Sequence, residues 1–479
     1  MSPSTDRRWL ALIILNLGTP MIVLDATIVN VALPSIRDDL GFTSDSLAWV
    51  VNAYLLTFGG FLLLGGRLGD LFGHRRLFLI GIVLFTLASL ACGLATSQEF
   101  LIGARAVQGL GGAVVSAVAL SLIMMLFTET GERAKAMGVY GFVASGGGTI
   151  GVLAGGVLTD LFNWHWIFLV NIPIGVAVYA LSVRLLPADN VTAGDRRVDI
   201  AGAVTVTGSL MLAVYAIVNG NEVGWGTGQT LGMLAASAVL LGAFLVIESR
   251  VSQPLMPLGL FKHRTLATAN GVAVLLAGSM FAWFFLTALY LQLVLGYSPL
   301  QVGLAFLPSS LIMGAFSLGL SAKLVMRFGI KPPMVAGMLF MAAGLMLYAR
   351  LPVDGSFVVD ILPGSVLLGI GAGMGFNPLL LAAMGDVEPT EAGLASGVVN
   401  TAFMMGGALG LAVLASLSTS RSDKLLASGD DLQTALTGGY HAAFLIGSLF
   451  AIAGAALGGL LIRAEKPAAM HAEAEPAHS

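Results

Sequence analysis

The chain has 479 residues, of which 57% are hydrophobic and 10% charged, and a net charge of −3. Ordinary soluble domains carry about 25% charged residues, so this composition excludes a soluble globular protein, and without a basic tract nothing points to nucleic acid. Cys92 is the only cysteine, which excludes an internal disulfide and a cysteine metal cage.

A bilayer core is about 30 Å thick and a helix rises about 1.5 Å per residue, so about 20 apolar residues cross it. Fourteen stretches meet that length, at 9–33, 47–66, 77–97, 101–126, 137–159, 164–183, 199–220, 227–247, 266–294, 300–322, 332–349, 361–385, 392–416 and 441–462. The first follows Arg7 and Arg8 as a secretory leader would, but it runs on to Leu33 with no small-residue cleavage site. It is expected to stay as a helix. Asp25 lies inside it, in Leu24-Asp25-Ala26-Thr27-Ile28-Val29-Asn30. A carboxylate in hydrocarbon costs about 2.5–3.5 kcal/mol on insertion scales, so such a group is a functional candidate, against the plainer reading of a structural hydrogen bond.

Spans 2 and 3 are joined by Gly66-Arg67-Leu68-Gly69-Asp70-Leu71-Phe72-Gly73-His74-Arg75-Arg76. Its glycines permit a tight turn and close helix approach, and the segment is expected to gate; the plainer reading is a charged loop that fixes orientation. Span 4 holds Arg105, the one cation inside a span. Asp25 and Arg105 are expected at similar depth, with Arg105 acting on Asp25 directly or through Asn30 or Gln108. In span 5, Gly147, Gly151 and Gly155 fall on one helix face beside Gly156, a ladder of small residues that suits close packing. Phe58, Phe61, Tyr140, Phe281, Trp283, Phe284, Phe285, Tyr290 and Phe376 are candidates to line an apolar cavity. The segment 418–440 reads as the longest loop on the outer side, and the tail after Arg463 as disordered.

The basic residues orient these spans. With the N-terminus in the cytoplasm, eighteen Lys and Arg fall in cytoplasmic loops and tails, and only Arg37, Arg350, Arg421 and Lys424 fall outside. That bias is the positive-inside pattern and puts both termini in the cytoplasm.

The sequence also repeats. Glu129, Glu132, Ala136, Gly138, Gly147, Gly148 and Gly151 match Glu388, Glu391, Ala395, Gly397, Gly406, Gly407 and Gly410, each pair 259 residues apart. Arg67, Phe72, Gly73, Arg75 and Gly81 match Lys323, Phe328, Gly329, Lys331 and Gly337 at an offset of 256. Spans 1–6 and 9–14 are thus two copies of one unit, with spans 7 and 8 inserted between them. Parallel repeats about an axis along the membrane normal are the build of rocking carriers.

These segments resemble a known group. Gly66–Arg76 looks like the cytoplasmic loop signature of the major facilitator superfamily, Leu101–Gly111 like its span-4 arginine motif, and Gly147–Gly156 like its span-5 antiporter motif. Asp25–Pro34, Asn163–Pro173 and Gln292–Pro299 are similar to the fourteen-helix drug:proton antiporter branch. The resemblance covers essentially the whole chain. It implies an all-α integral membrane protein with the major facilitator fold: a six-helix bundle over 1–190, two inserted helices over 191–262, a second six-helix bundle over 263–463 and a disordered cytoplasmic tail over 464–479.

It further implies a secondary exporter in the bacterial cytoplasmic membrane that exchanges small amphipathic compounds for inward protons. Asp25 would be the acidic residue of span 1, Arg105 the proton-relay arginine and Asp70 part of the gate. Two positions depart from the pattern: Val152 stands where the span-5 motif has proline, and His165 where an arginine is usual. A symporter or a metabolite, lipid or siderophore carrier is the alternative within transport. An enzyme ranks low, because the six histidines form no metal spacing and neither H-E-x-x-H nor a P-loop occurs. No cofactor, no metal and no nucleic acid are expected, the lipid bilayer and protons are the surroundings it works in, and a monomer is the default.

Overall fold

The computed structural model describes residues 5–43, 46–127, 132, 136, 139, 150–186, 199–251, 254–385, 387 and 392–462. Lipid offers no hydrogen bonds to bare backbone, so a crossing segment must close its own N–H and C=O groups, and a helix does so within one segment. The described chain runs as α1 (Thr5–Leu40), α2 (Trp49–Phe72), α3 (His74–Gly93), α4 (Gln98–Leu126), α5 (Ile150–Leu161), α6 (Trp166–Leu185), α7 (Ile200–Val223) and α8 (Gly228–Arg250). It continues as α9 (Arg264–Leu289), α10 (Pro299–Ala315), α11 (Lys331–Tyr348), α12 (Leu362–Gly385), α13 (Ala392–Ala427) and α14 (Leu432–Leu461). Twelve of these helices are long and apolar enough to cross a membrane, whereas α5 and α10 are shorter apolar helices. They fall where the fifth and tenth spans were expected.

Polar side chains start several of the helices. Ser97 Oγ accepts from the Phe100 N–H at the start of α4 (3.3 Å), and Ser298 forms a capping box with Gln301 ahead of Pro299 in α10. Each such cap satisfies an amide that the helix itself leaves open.

The two halves repeat the same helix pairs. In the first, α2 packs on α4, α3 on α4 and α6, and α1 on α4 and α6. In the second, α10 packs on α12, α11 on α12 and α14, and α9 on α12 and α14. The halves meet along two seams. One is α2 against α13. The other is α5 against α10, where Gly303 sits on the Val152 carbonyl and Gly156 on Pro299. The hairpin α7–α8 lies over the first seam, with α7 touching both α2 and α13. Asn221 Nδ2 of α7 donates to Ser416 O and Oγ of α13 (2.8 and 2.9 Å), and Thr207 of α7 packs against Gly60 of α2.

The structure differs from the sequence reading in three places. The segment 418–440 is not a long loop: α13 continues to Ala427, a short turn follows at Gly429 (φ 99°), and Asp431 caps α14. Its polar residues belong to helix ends that project past the apolar slab. The expected span 300–322 is not one straight helix, because a widened turn at Phe316–Leu320 with Gly319 at φ 133° separates α10 from a short helix, Ser321–Phe328. The segment Gly66–Arg76 is helical up to Phe72 and breaks only at Gly73, whose φ of 100° favours glycine. Gly329, its partner in the repeat, also has a positive φ, 82°.

Candidate functional site

Four helices converge on Asp25. Its Oδ2 accepts from Arg105 Nη1 of α4. Its Oδ1 accepts from Gln108 Nε2 of α4 (2.7 Å) and from Asn171 Nδ2 of α6 (3.0 Å). Arg105 and Gln108 are three residues apart and so share a face of α4. Arg105 Nη1 donates to Gln108 Oε1 as well (2.6 Å), and Gln108 Nε2 donates to Ser89 Oγ of α3 (2.8 Å). Arg105 Nε donates to the Val50 carbonyl of α2 (2.9 Å), and the Tyr54 ring centre lies 4.4 Å from its guanidinium carbon. Asp25, Arg105, Gln108, Ser89 and Asn171 are each 0% exposed.

This is a sealed, net-neutral ion pair in the core of the first half. Removing one partner from such a pair leaves a buried charge uncompensated, at a cost of roughly 3–5 kcal/mol. Adding a proton to Asp25 has a similar local consequence: the ion pair is lost, and Arg105 keeps the Val50 carbonyl, Gln108 Oε1 and the Tyr54 and Phe168 rings. The arrangement can therefore turn proton binding into a rearrangement among α1, α4 and α6.

Of the residues the sequence singled out, Asp25, Arg105 and Gln108 come together. Asn30 does not join them; its Nδ2 donates to the Ala26 and Thr27 carbonyls of its own helix (both 3.3 Å). Five residues along a helix turn the side chain by about 500°, which leaves Asn30 well round from Asp25. Asn171, Ser89 and Tyr54 belong to the network without having been assigned to it. Asn171 lies in the Asn163–Pro173 segment, and a polar side chain inside an apolar run was the available signal.

The glycines of α5 link this site to the second half. A Cβ on Gly151 would stand 2.9 Å from the Leu24 carbonyl, and one on Gly155 would stand 2.7 Å from the Ile28 carbonyl, both on α1. Gly156 faces α10 instead, where a Cβ would stand 2.7 Å from the Pro299 carbonyl. So α5 is wedged between the helix of Asp25 and the other bundle. Gly147 lies outside the described residues.

In the Gly66–Arg76 segment, Gly69 lets α2 approach Val118 of α4, where a Cβ would stand 2.7 Å from Val118 Cγ1. Gly66 is roomier, with Ala117 Cβ at 3.9 Å. Asp70 occupies the last turns of α2. Arg67, Arg75 and Arg76 are all engaged by neighbours, and Arg75 Nη2 donates to the Val183 carbonyl of α6 (2.6 Å).

The candidate aromatic lining is mostly core. Trp283, Phe285 and Tyr290 are at most 1% exposed, and Trp283 packs tilted against Phe284 and edge-on to Phe306. Phe281 and Phe376 pack on Phe403. Tyr140 lies outside the described residues. One cavity of about 110 Å³, lined by Arg37, Phe285, Leu289, Asp423 and Tyr440 among others, opens where α1, α9, α13 and α14 meet. It is smaller than the roughly 300–1,000 Å³ of sites for drug-sized ligands. Beside it, Gln292 Nε2 donates to the Val31 carbonyl (2.8 Å) and joins the halves at that end. Among the described residues no group of three His, Cys, Asp or Glu side chains is placed to hold a metal ion.

A family model described as Major Facilitator Superfamily matches residues 15–411. The chain belongs to that superfamily. It is 40% identical over 448 residues to the puromycin resistance protein pur8 of Streptomyces alboniger, covering 93% of this chain and 89% of that protein. It is 42% identical over 415 residues to the cephamycin export protein CmcT of Amycolatopsis lactamdurans, covering 85% of each. Among solved structures, a bacterial homologue of the human lysosomal transporter Spinster superposes with a TM-score of 0.68 at 17% identity, covering 96% of this chain and 98% of that one. The superfamily fold accounts for the paired bundles, and the chain is a multi-pass membrane protein.

Proposed function

We propose that this chain exports small amphipathic drugs or antibiotics across a bacterial cytoplasmic membrane, driven by inward movement of protons through Asp25. Similarity to resistance and export proteins supports the direction and the class of cargo. The observation that carries the coupling is the sealed Asp25–Arg105 pair, the ionised centre of the first bundle. The positive-inside bias supports cytoplasmic termini, which puts the Gly73 turn in the cytoplasm and the Gln292–Val31 bond at the outer end.

On this reading, a proton arriving from outside neutralises Asp25 and releases it from Arg105. Helix α1 then moves against α5, and α5 carries the shift to α10. Deprotonation towards the cytoplasm restores the pair. Cargo occupies a space between the bundles that opens as they rock.

The test uses everted membrane vesicles and a fluorescent cationic dye. Wild type should load dye when the lumen is acidified and stop when a protonophore collapses the gradient. Asp25→Asn should insert normally but load no dye above the empty-vesicle level. Equal gradient-driven loading by Asp25→Asn, or wild-type loading unaffected by the protonophore, overturns the coupling; loading in right-side-out vesicles only overturns the direction.

A further inference from the structure

The inserted hairpin buries two carboxyl groups that the Asp25 network does not use. Asp199 caps α7, with Oδ1 accepting from the Gly202 N–H at 2.7 Å. Glu248 lies in the last turn of α8, and its Oε2 accepts from the Met256 N–H at 3.1 Å. The two residues are 5% and 3% exposed. Each has one further oxygen, Asp199 Oδ2 and Glu248 Oε1, that is buried and receives no hydrogen bond from a donor. Those two oxygens are the nearest atoms to the place where a Cβ on Gly202 would stand, and such a Cβ would press on both.

Neither carboxyl makes an ion pair with a described residue. Among the described residues, Gly202 of α7 and the Met256 N–H after α8 lie against them. Leu255 packs with Ala203 and with Leu64 of α2. The charged residues at this end of the neighbouring helices are Arg250 on α8, which is exposed, and Arg67 and Asp70 on α2.

Two bare carboxylate oxygens crowded beside one glycine repel each other, while one proton shared between them makes a short charge-assisted hydrogen bond. We propose that Asp199 and Glu248 form a one-proton binding site, the proton lying between Asp199 Oδ2 and Glu248 Oε1. The site is independent of Asp25. Its location at the cytoplasmic end of the hairpin rests on the orientation given above; its existence does not. With the proton in place, the start of α7 and the segment after α8 are drawn together, and Leu255 is held on α2. Without it, the carboxylates part and that contact loosens. The hairpin thus carries a proton-operated latch on α2, the helix that runs into the Gly73 turn.

The experiment is infrared difference spectroscopy of the full chain in liposomes, titrated from mildly acidic to mildly basic buffer in an Asp25→Asn background. The expected result is a protonated-carboxyl C=O band that titrates as one group and disappears in both Glu248→Gln and Asp199→Asn. The second substitution guards against misfolding, because asparagine is itself a capping residue and keeps the start of α7 closed. A complementary measurement is the protection of amides 254–262 from hydrogen exchange, relative to the intrinsic rate at each pH, which should fall several-fold as pH rises in the parent and stay level in Glu248→Gln, whose amide can donate to Asp199. A band unchanged by either substitution overturns the site. So does a band that is absent throughout but replaced by a carboxylate shift on adding sodium or magnesium, which would make the ligand a metal cation. Neither readout requires transport, so failure here and failure of the export reading are separable.

Discussion

Gly156→Ala tests whether α5 transmits between the bundles. The added methyl would stand 2.7 Å from the Pro299 carbonyl and 3.0 Å from Leu300 Cα, so the partner is backbone that cannot swing aside. Ordinary contact begins near 3.4 Å, so α5 and α10 must part by about 0.7 Å. Overpacking of this kind costs about 1–3 kcal/mol. On the proposed rocking of the bundles, the cost falls on the arrangement described here and not on one that opens the seam. A bias of 1–3 kcal/mol corresponds to roughly a 5–150-fold change in the ratio of the two arrangements.

The assay is pulsed electron paramagnetic resonance with spin labels at Leu161 on α5 and Leu339 on α11, both exposed, in a Cys92→Ser background. Dye export is measured in parallel. Gly156→Ala should shift the distance distribution towards a second population and slow export. Gly103→Ala is the control, because nothing lies within 4 Å of its Cβ. If Gly156→Ala leaves both distance distribution and export at wild-type values, or if Gly103→Ala changes them equally, the reasoning fails.

Other outcomes follow from the same geometry. Arg105→Ala should cost roughly 3–5 kcal/mol of stability by leaving Asp25 buried beside no cation; thermal melting in detergent would show this, and an unchanged midpoint would mean that the pair does not hold the fold. Gln108→Leu should cost about 1–3 kcal/mol, because Ser89 and Asp25 each lose a donor, and export should slow even where the protein is well folded. Gly73→Ala forces a side chain to φ 100° and should cost on the order of 1–3 kcal/mol, read as a lower melting point with insertion preserved. Asp431, exposed at the start of α14, is held below the usual aspartate range by hydrogen bonds from Thr434, first its side chain and then its backbone, and from the Gln433 backbone. A depressed carboxyl stabilises above its unfolded value and loses that contribution as pH falls through its folded value. Protection of amides 432–435 from exchange, relative to the intrinsic rate at each pH, should therefore be steady at neutral pH and fall only in strong acid, and Asp431→Ala should abolish that pH dependence.

Much of this architecture is legible in the sequence, because a twenty-residue apolar run has few alternatives to a crossing helix and a charge inside one demands a partner. Asp25, Arg105 and Gln108 can be grouped on those grounds. Asn171, Ser89 and Tyr54 cannot, since which faces of α2, α3 and α6 meet α4 depends on how the helices cross. Asn30 is misplaced by the sequence because proximity along the chain is not a shared helix face. The polar stretch after Ser418 reads as loop because polarity marks water, and a helix that projects into water is polar too. The break at Gly319 leaves no periodic signal, being one glycine among many.

The covering of one seam makes the protein two-sided towards its membrane. Helix α7 roofs the junction of α2 and α13, while α5 and α10 leave Leu161, Leu304 and Leu311 bare. Among the described residues only one seam is roofed, so a compound dissolved in the leaflet would meet two different flanks, a handedness that the near-symmetry of the two bundles would not by itself suggest.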